Sequence, residues 1–135
     1  MFLEKDLSYK LVGCFYEVRN KYGRWHRENF YDKVLDEVME IKGLKFVDKP
    51  NIPLYSLDTG KKITIFIPDK LVENKIIIEL KAKPYIFEDD ARQVLEYLKA
   101  SKYEIIYLVN FGEITFKPQR LIYTNDRKPF ICENL

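Results

Sequence analysis

The chain has 135 residues, 47% apolar and 15% aromatic, enough for one unaided hydrophobic core over 1–135, which sets aside disorder and a second independent domain. Its 23 Lys and Arg stand against 21 Asp and Glu, and the net charge of +2 excludes a polybasic tail while leaving room for a local cationic groove. Two cysteines, Cys14 and Cys132, are too few for a disulfide framework, a four-thiolate zinc site or a four-cysteine iron–sulfur cluster.

Leu7, Leu11, Cys14, Phe15, Val18 and Tyr22 recur every three or four residues and predict a helix that ends before Gly23. A second stripe, Phe30, Val34, Leu35, Val38 and Ile41, predicts another helix stopping at Gly43. Pro50, Pro53 and Gly60 then break the chain into short extended pieces. The following ITIFIPDKLVENKIIIELK, dense in β-formers around the polar turn Glu73-Asn74-Lys75, reads as a hairpin. Its residues are apolar on both faces, Leu71 and Ile77 on one and Val72, Ile76, Ile78 and Leu80 on the other, as in a strand covered by helices on both sides. FEDDARQVLEYLKAS has acids at its start and Lys99 near its end, which suits a third helix and its dipole. EIIYLVNFG and RLIY complete the order α-α-β-β-β-α-β-β, an α/β unit with a central mixed sheet flanked by helices. No apolar run approaches the ~20 residues of a bilayer span, and MFLEKDLSYK lacks the apolar stretch of a signal peptide. The expectation is a cytoplasmic protein with no membrane contact.

Three polar groups stand where a core-building sequence would place apolar ones. Asp69 follows Pro68 in the hairpin, while Glu79 and Lys81, two apart, project from one face of the same strand. Burying such groups costs several kcal/mol each unless they are paired or bound to a metal. Asp69 and Glu79 share a face only if the loop is odd, such as the three residues 73–75, or if a bulge intervenes near Pro68. In that register the two carboxylates and the Leu80 carbonyl form an oxygen-rich pocket suited to Mg²⁺, with Mn²⁺ as the alternative, and Lys81 beside it would orient water or offset charge on a phosphorane. The bland alternative makes Glu79 and Lys81 a solvated sheet edge and Asp69 a turn residue. Gln93 and Tyr97, four apart on the third helix, share a face; Tyr97 also reads as a core aromatic. Glu28, at the border of the second stripe, is either solvated or an inward metal ligand. His26, the one histidine, is most simply a surface residue. No P-loop or GxGxxG run is present, and no Ser–His–Asp or Cys–His set assembles, so hydrolysis by a metal-activated water is the one chemistry with a visible cast.

Asp69 after Pro68, with Glu79-Leu80-Lys81, resembles the core of the PD-(D/E)XK nuclease superfamily, which has the restriction-endonuclease-like fold. Gln93 and Tyr97 match the QxxxY element of RecB-type members. The blocks LSYKLVGCFYEVRNKYG, LVENKIIIELKA, QVLEYLKAS and YLVNFG are similar to the small GxxExxY family over roughly 7–123. The resemblance implies Asp69, Glu79 and Lys81 as the catalytic trio, Glu28 as the helical acid, Tyr31 as the family tyrosine, and Gln93 with Tyr97 as support. Where that signature has glycine, this chain has Trp25.

Two readings follow. The first is a Mg²⁺-dependent phosphodiesterase acting on DNA or RNA, with Glu28, Asp69, Glu79 and the Leu80 carbonyl holding the metal, and Lys62, Lys70, Lys83, Arg92 and Lys99 available to phosphates. The second is a catalytically silent nucleic-acid-binding or accessory subunit that keeps the nuclease fold. A homodimer and a place in a larger assembly are compatible with either.

Overall fold

The structure is a computed structural model that describes residues 2–86 and 88–132. Helices α1 (Lys5–Tyr22) and α2 (Glu28–Ile41) open the chain. Strands β1 (Phe46–Asp48), β2 (Ile52–Tyr55), β3 (Lys62–Phe66), β4 (Lys70–Val72) and β5 (Ile76–Lys81) follow. Helix α3 (Glu88–Ala100), strands β6 (Ile105–Asn110) and β7 (Gln119–Ile122), a 3₁₀ turn (Asn125–Arg127) and the short α4 (Pro129–Cys132) complete it. Phe87, in the segment predicted as the third helix, lies outside the described residues. The α/β class with a central mixed sheet stands, but five strands rather than three lie between α2 and α3, because the proline-broken segment forms β1 and half of a separate β2–β3 ribbon, and a short α4 follows β7. No helix among the described residues is long and apolar enough to cross a membrane.

The main sheet runs β1-β4-β5-β6-β7, with β5 and β6 parallel and the other pairs antiparallel, so it is mixed as expected. Parallel neighbours need a crossover, and α3 supplies it. Val72, Ile76, Ile78, Leu80, Ile105, Tyr107 and Val109 pack under α1 and α2. Leu71, Ile77, Ile106 and Leu108 pack under α3 together with Ile52, Leu54 and Phe66 of the ribbon. Each fully buried aliphatic side chain contributes about 1.5–3 kcal/mol of hydrophobic stabilisation, and β5 and β6 hold the highest density of them. This two-sided burial explains why β5 reads as a continuous Ile run.

The second helix is rotated from its predicted face. Tyr31, Leu35 and Met39 are fully buried, Phe30, Val34 and Val38 are half-buried, and Ile41 is 83% exposed. The i, i+4 row from Tyr31 through Leu35 to Met39 forms the centre of the contact, and Ile41 lies past the region the sheet can cover.

Two devices fix the end of the sheet where β5 and β6 terminate. The Asn110 side chain accepts hydrogen bonds from the Lys83 and Gly112 N–H groups and donates to the Lys83 carbonyl at 2.9 Å. Gly112 meanwhile lies so close to that segment that a Cβ there would stand 2.6 Å from the Lys83 nitrogen. Gly112→Ala is therefore expected to lower unfolding free energy by about 1–3 kcal/mol, because main chain rather than a flexible side chain must give way. Urea titration checks this, and an unchanged midpoint would refute the close approach.

Candidate active site

The geometry of the site starts with the β4–β5 hairpin. Lys70, Leu71 and Val72 pair with Ile78, Ile77 and Ile76 across the three-residue loop 73–75, and the same register carried one step further sets Asp69 opposite Glu79. The loop has no glycine, yet Glu73 (φ 51°) and Asn74 (φ 54°) are both left-handed. Glu73 is held there by hydrogen bonds to both Lys45 main-chain groups, and Asn74 accepts one from the Tyr103 hydroxyl at 2.8 Å. These contacts offset the backbone strain and fix the register.

Asp69 and Glu79 consequently face each other. The Asp69 N–H donates to Glu79 Oε1 at 3.0 Å, and the Leu80 N–H donates to Asp69 Oδ2 at 2.7 Å. In an extended strand a residue's N–H and C=O leave toward the same neighbour, so the Leu80 carbonyl also faces the Asp69 side. Lys81 is on the face of β5 shared with Glu79; its carbonyl accepts from the Phe111 N–H at 3.0 Å, while its ammonium makes no hydrogen bond or ion pair among the described residues. The group lies at the C-terminal ends of the parallel strands, where open α/β sheets bind ligands.

Electrostatics separate the two carboxyls. Burial, then the Asp69 charge beside it, pushes Glu79 up to about 8. Burial opposes ionisation of Asp69 too, but the Lys49 ammonium, the Leu80 N–H and the Glu79 carboxyl hold it below the usual carboxylate range. Glu79 thus keeps a proton beside an ionised Asp69. Glu28, exposed in the first turn of α2, is raised by desolvation and then by Asp69, with Lys81 and Lys49 opposing. It is an electrostatic neighbour of the pair.

A hard divalent cation fits this donor set, which is all oxygen, and its charge would favour ionisation of the buried Glu79 carboxyl. Two carboxylates form the immediate set: among the described residues no group of three or more His, Cys, Asp or Glu is close enough to hold a metal together. Gln93 is exposed on α3 and makes no hydrogen bond to Lys81, whereas Tyr97 is half-buried with its ring 4.4 Å from that of Phe66 in the core beneath α3. Tyr31 is fully buried, stacked on Phe111 at 4.5 Å, and its hydroxyl donates to the Gly23 carbonyl at 2.6 Å while accepting from the His26 N–H. It anchors the α1–α2 loop that leads into Glu28. The His26 ring stacks on Phe30.

The sequence reading missed a second charged cluster. Lys70, offered above as a phosphate contact, is fully buried, with its ammonium 2.6 Å from Asp32 and Asp36 and 2.9 Å from Asp48, so it cannot meet a phosphate. It points to the face of the sheet opposite Asp69 and ties β4 to α2 and β1. Asp36 is raised to about 7, first by burial. Lys49, left-handed at φ 50°, places its ammonium 2.6 Å from Asp69 and 3.9 Å from Asp32, joining the two clusters. The spacing of Asp32 and Asp36, four apart on one helix face, together with a lysine inside an apolar strand, was the available signal. Of the other suggested phosphate contacts, Lys83 pairs with Asp90, Arg92 with Glu88 and Lys99 with Glu96, while Lys62 is exposed on β3.

Comparison with known proteins decides the family. A family model described as PD-(D/E)XK nuclease superfamily matches residues 5–122. The chain belongs to that superfamily. No curated protein and no solved structure matches the chain. The mixed sheet flanked by helices is consistent with the restriction-endonuclease-like fold of these nucleases, which generally use divalent metals and whose ligand is nucleic acid.

An acid whose folded pKa is raised contributes stability that is complete below its unfolded value and lost as pH rises through the folded one. For Glu79 that window runs from about 4.5 to about 8. Metal-free protein should lose stability across it, and Glu79→Gln should remove part of that fall. Above pH 8 the variant should melt several degrees higher than the parent, since 1 kcal/mol moves Tm by about 3–5 °C at this size. Thermal melts in chelator across the window check this, and parallel curves for the two proteins would contradict the shifted carboxyl.

Proposed function

We propose that the protein is a metal-dependent phosphodiesterase that hydrolyses DNA or RNA. The observation that carries the reading is the facing pair Asp69 and Glu79, with the Lys81 ammonium on the same strand face making no hydrogen bond or ion pair among the described residues. Asp69, Glu79 and the Leu80 carbonyl would hold Mg²⁺ or Mn²⁺, with Glu28 as a further oxygen ligand from α2. When bound, such a cation supplies a Lewis acid for the phosphate and lowers the pKa of water. The chain's own groups do the rest. On binding the cation, Glu79 would release to solvent the proton it holds beside Asp69. Lys81 orients the attacking water and offsets the negative charge that grows on the phosphorane oxygens. Gln93 and Tyr97, the QxxxY element, and the remnant GxxExxY signature at Glu28 and Tyr31 agree with a RecB-like variant. In this reading Tyr31 works by fixing the loop that carries Glu28.

One observation favours the silent nucleic-acid-binding reading. Lys49 already supplies Asp69 with a cation at 2.6 Å, so the pair has a resident counter-charge without any metal.

Under the hydrolase reading, Lys81→Ala should retain the parent melting temperature and lose cleavage by at least about 100-fold. Asp69→Asn should abolish the Mn²⁺ binding heat in calorimetry. Undiminished cleavage by the lysine variant would remove the proposed role of Lys81. Nucleic-acid binding indifferent to chelator, with no Mn²⁺ heat from the parent protein, would establish the silent module instead.

A further inference from the structure

Trp25 is the one tryptophan of the chain, and it is 83% exposed. Large aromatics are seldom left so open, because each buries far more stabilising area than most side chains when it is covered. The ring is nevertheless held in place. The Arg24 guanidinium lies 4.2 Å from its centroid and is itself fixed by an Arg24 Nε–H bond to the Gly112 carbonyl at 3.1 Å. Tyr31 pins the same loop through Gly23 and His26. A cation thus backs one face of a preorganised indole and leaves the other to solvent.

The loop borders a cleft of about 180 Å³ between residues 24–26 and 82–84. That is below the roughly 300 Å³ at which pockets begin to take drug-sized ligands, so it has room for one flat ring and not for a helix or a folded partner. Ala82 lines it and directly follows Lys81, and Glu28 lies three residues beyond Trp25, so the cleft is lined by sequence neighbours of the candidate active-site residues. Arg24 and Arg27 flank Trp25 and His26 in sequence, and basic residues interleaved with aromatics are the composition of surfaces that take single-stranded nucleic acid.

We propose that Trp25, backed by Arg24, is a stacking platform for an unpaired nucleobase of single-stranded nucleic acid, placing the neighbouring phosphate at Lys81. This rests on the nucleic-acid reading above. A base inside a duplex has both faces covered by its neighbours and cannot offer one to the indole, so the platform selects single strands or frayed ends.

The single tryptophan makes the test direct. Full-length protein is titrated in chelator, so that no cleavage occurs, with oligothymidylate of about 12 nucleotides or with a blunt duplex of matched length. The single strand should quench the intrinsic fluorescence and the duplex should not. With end-labelled oligothymidylate followed by anisotropy, Trp25→Ala should bind about 5- to 100-fold more weakly, and Trp25→Phe should recover most of the loss. Absence of quenching, equal quenching by duplex, or unchanged affinity in Trp25→Ala overturns the platform. Cleavage is scored separately with Mn²⁺: a protein that quenches but never cuts retains the platform and loses the hydrolase, whereas one that cuts without quenching does the reverse.

Discussion

Two carboxyl groups set opposite each other on neighbouring strands repel, and a sequence keeps them there only if something holds the strands in that register. Here the register is fixed by a three-residue loop with two left-handed non-glycine residues, braced by Lys45 and Tyr103. A two-residue turn would shift the pairing by one step and send Asp69 to the face of the sheet away from Glu79. The candidate chemistry, the raised Glu79 carboxyl and the position of Lys81 all descend from that loop.

The surroundings of the pair show how the fold tolerates it. Six acids, Glu28, Asp32, Asp36, Asp48, Asp69 and Glu79, gather near one end of the sheet with three lysines, Lys49, Lys70 and Lys81. Lys70 is buried among three of those acids on the face beneath α2. Burial alone would lower its pKa, but the three carboxylates raise it, so it stays charged and works as an internal counter-ion. Replacing it with a neutral residue would leave Asp32, Asp36 and Asp48 mutually repelling, the costly way to break a buried ion network. Lys49 does the corresponding work for Asp69 from a more exposed position, and an exposed ammonium is one that another cation can displace.

Local sequence determined most of the architecture. The α1 stripe, the Ile-rich β5 with both faces apolar, the odd hairpin loop and the dipole-matched α3 are all short-range patterns, and the structure contains them. The facing of Asp69 and Glu79 was legible because it follows from loop parity alone. What remained hidden depends on contacts distant in the chain. The exposure of Ile41 and the central place of Tyr31 follow from where the sheet ends, which helical periodicity does not reveal. Lys70 looked like a surface cation because its three acidic partners come from α2 and β1, 22 to 38 residues away. The β2–β3 ribbon was obscured by prolines that suit the margins of a sheet rather than its centre.

Tyr31 links these levels. Its ring belongs to the core, stacked on Phe111, while its hydroxyl holds the Gly23 carbonyl and the His26 N–H in the loop between α1 and α2. That loop delivers Glu28 to the electrostatic field of Asp69 on one side and presents Trp25 to solvent on the other. Arg19 and Arg24 stitch it further, donating to the carbonyls of residues 111–113 where β6 ends. The α1–α2 connection and the ends of β5 and β6 are therefore one hydrogen-bonded unit. Among the described residues the Trp25 ring contributes nothing to this scaffold beyond its contact with Arg24, so the same hydrogen-bonded unit that carries Glu28 also carries a large aromatic ring open to water.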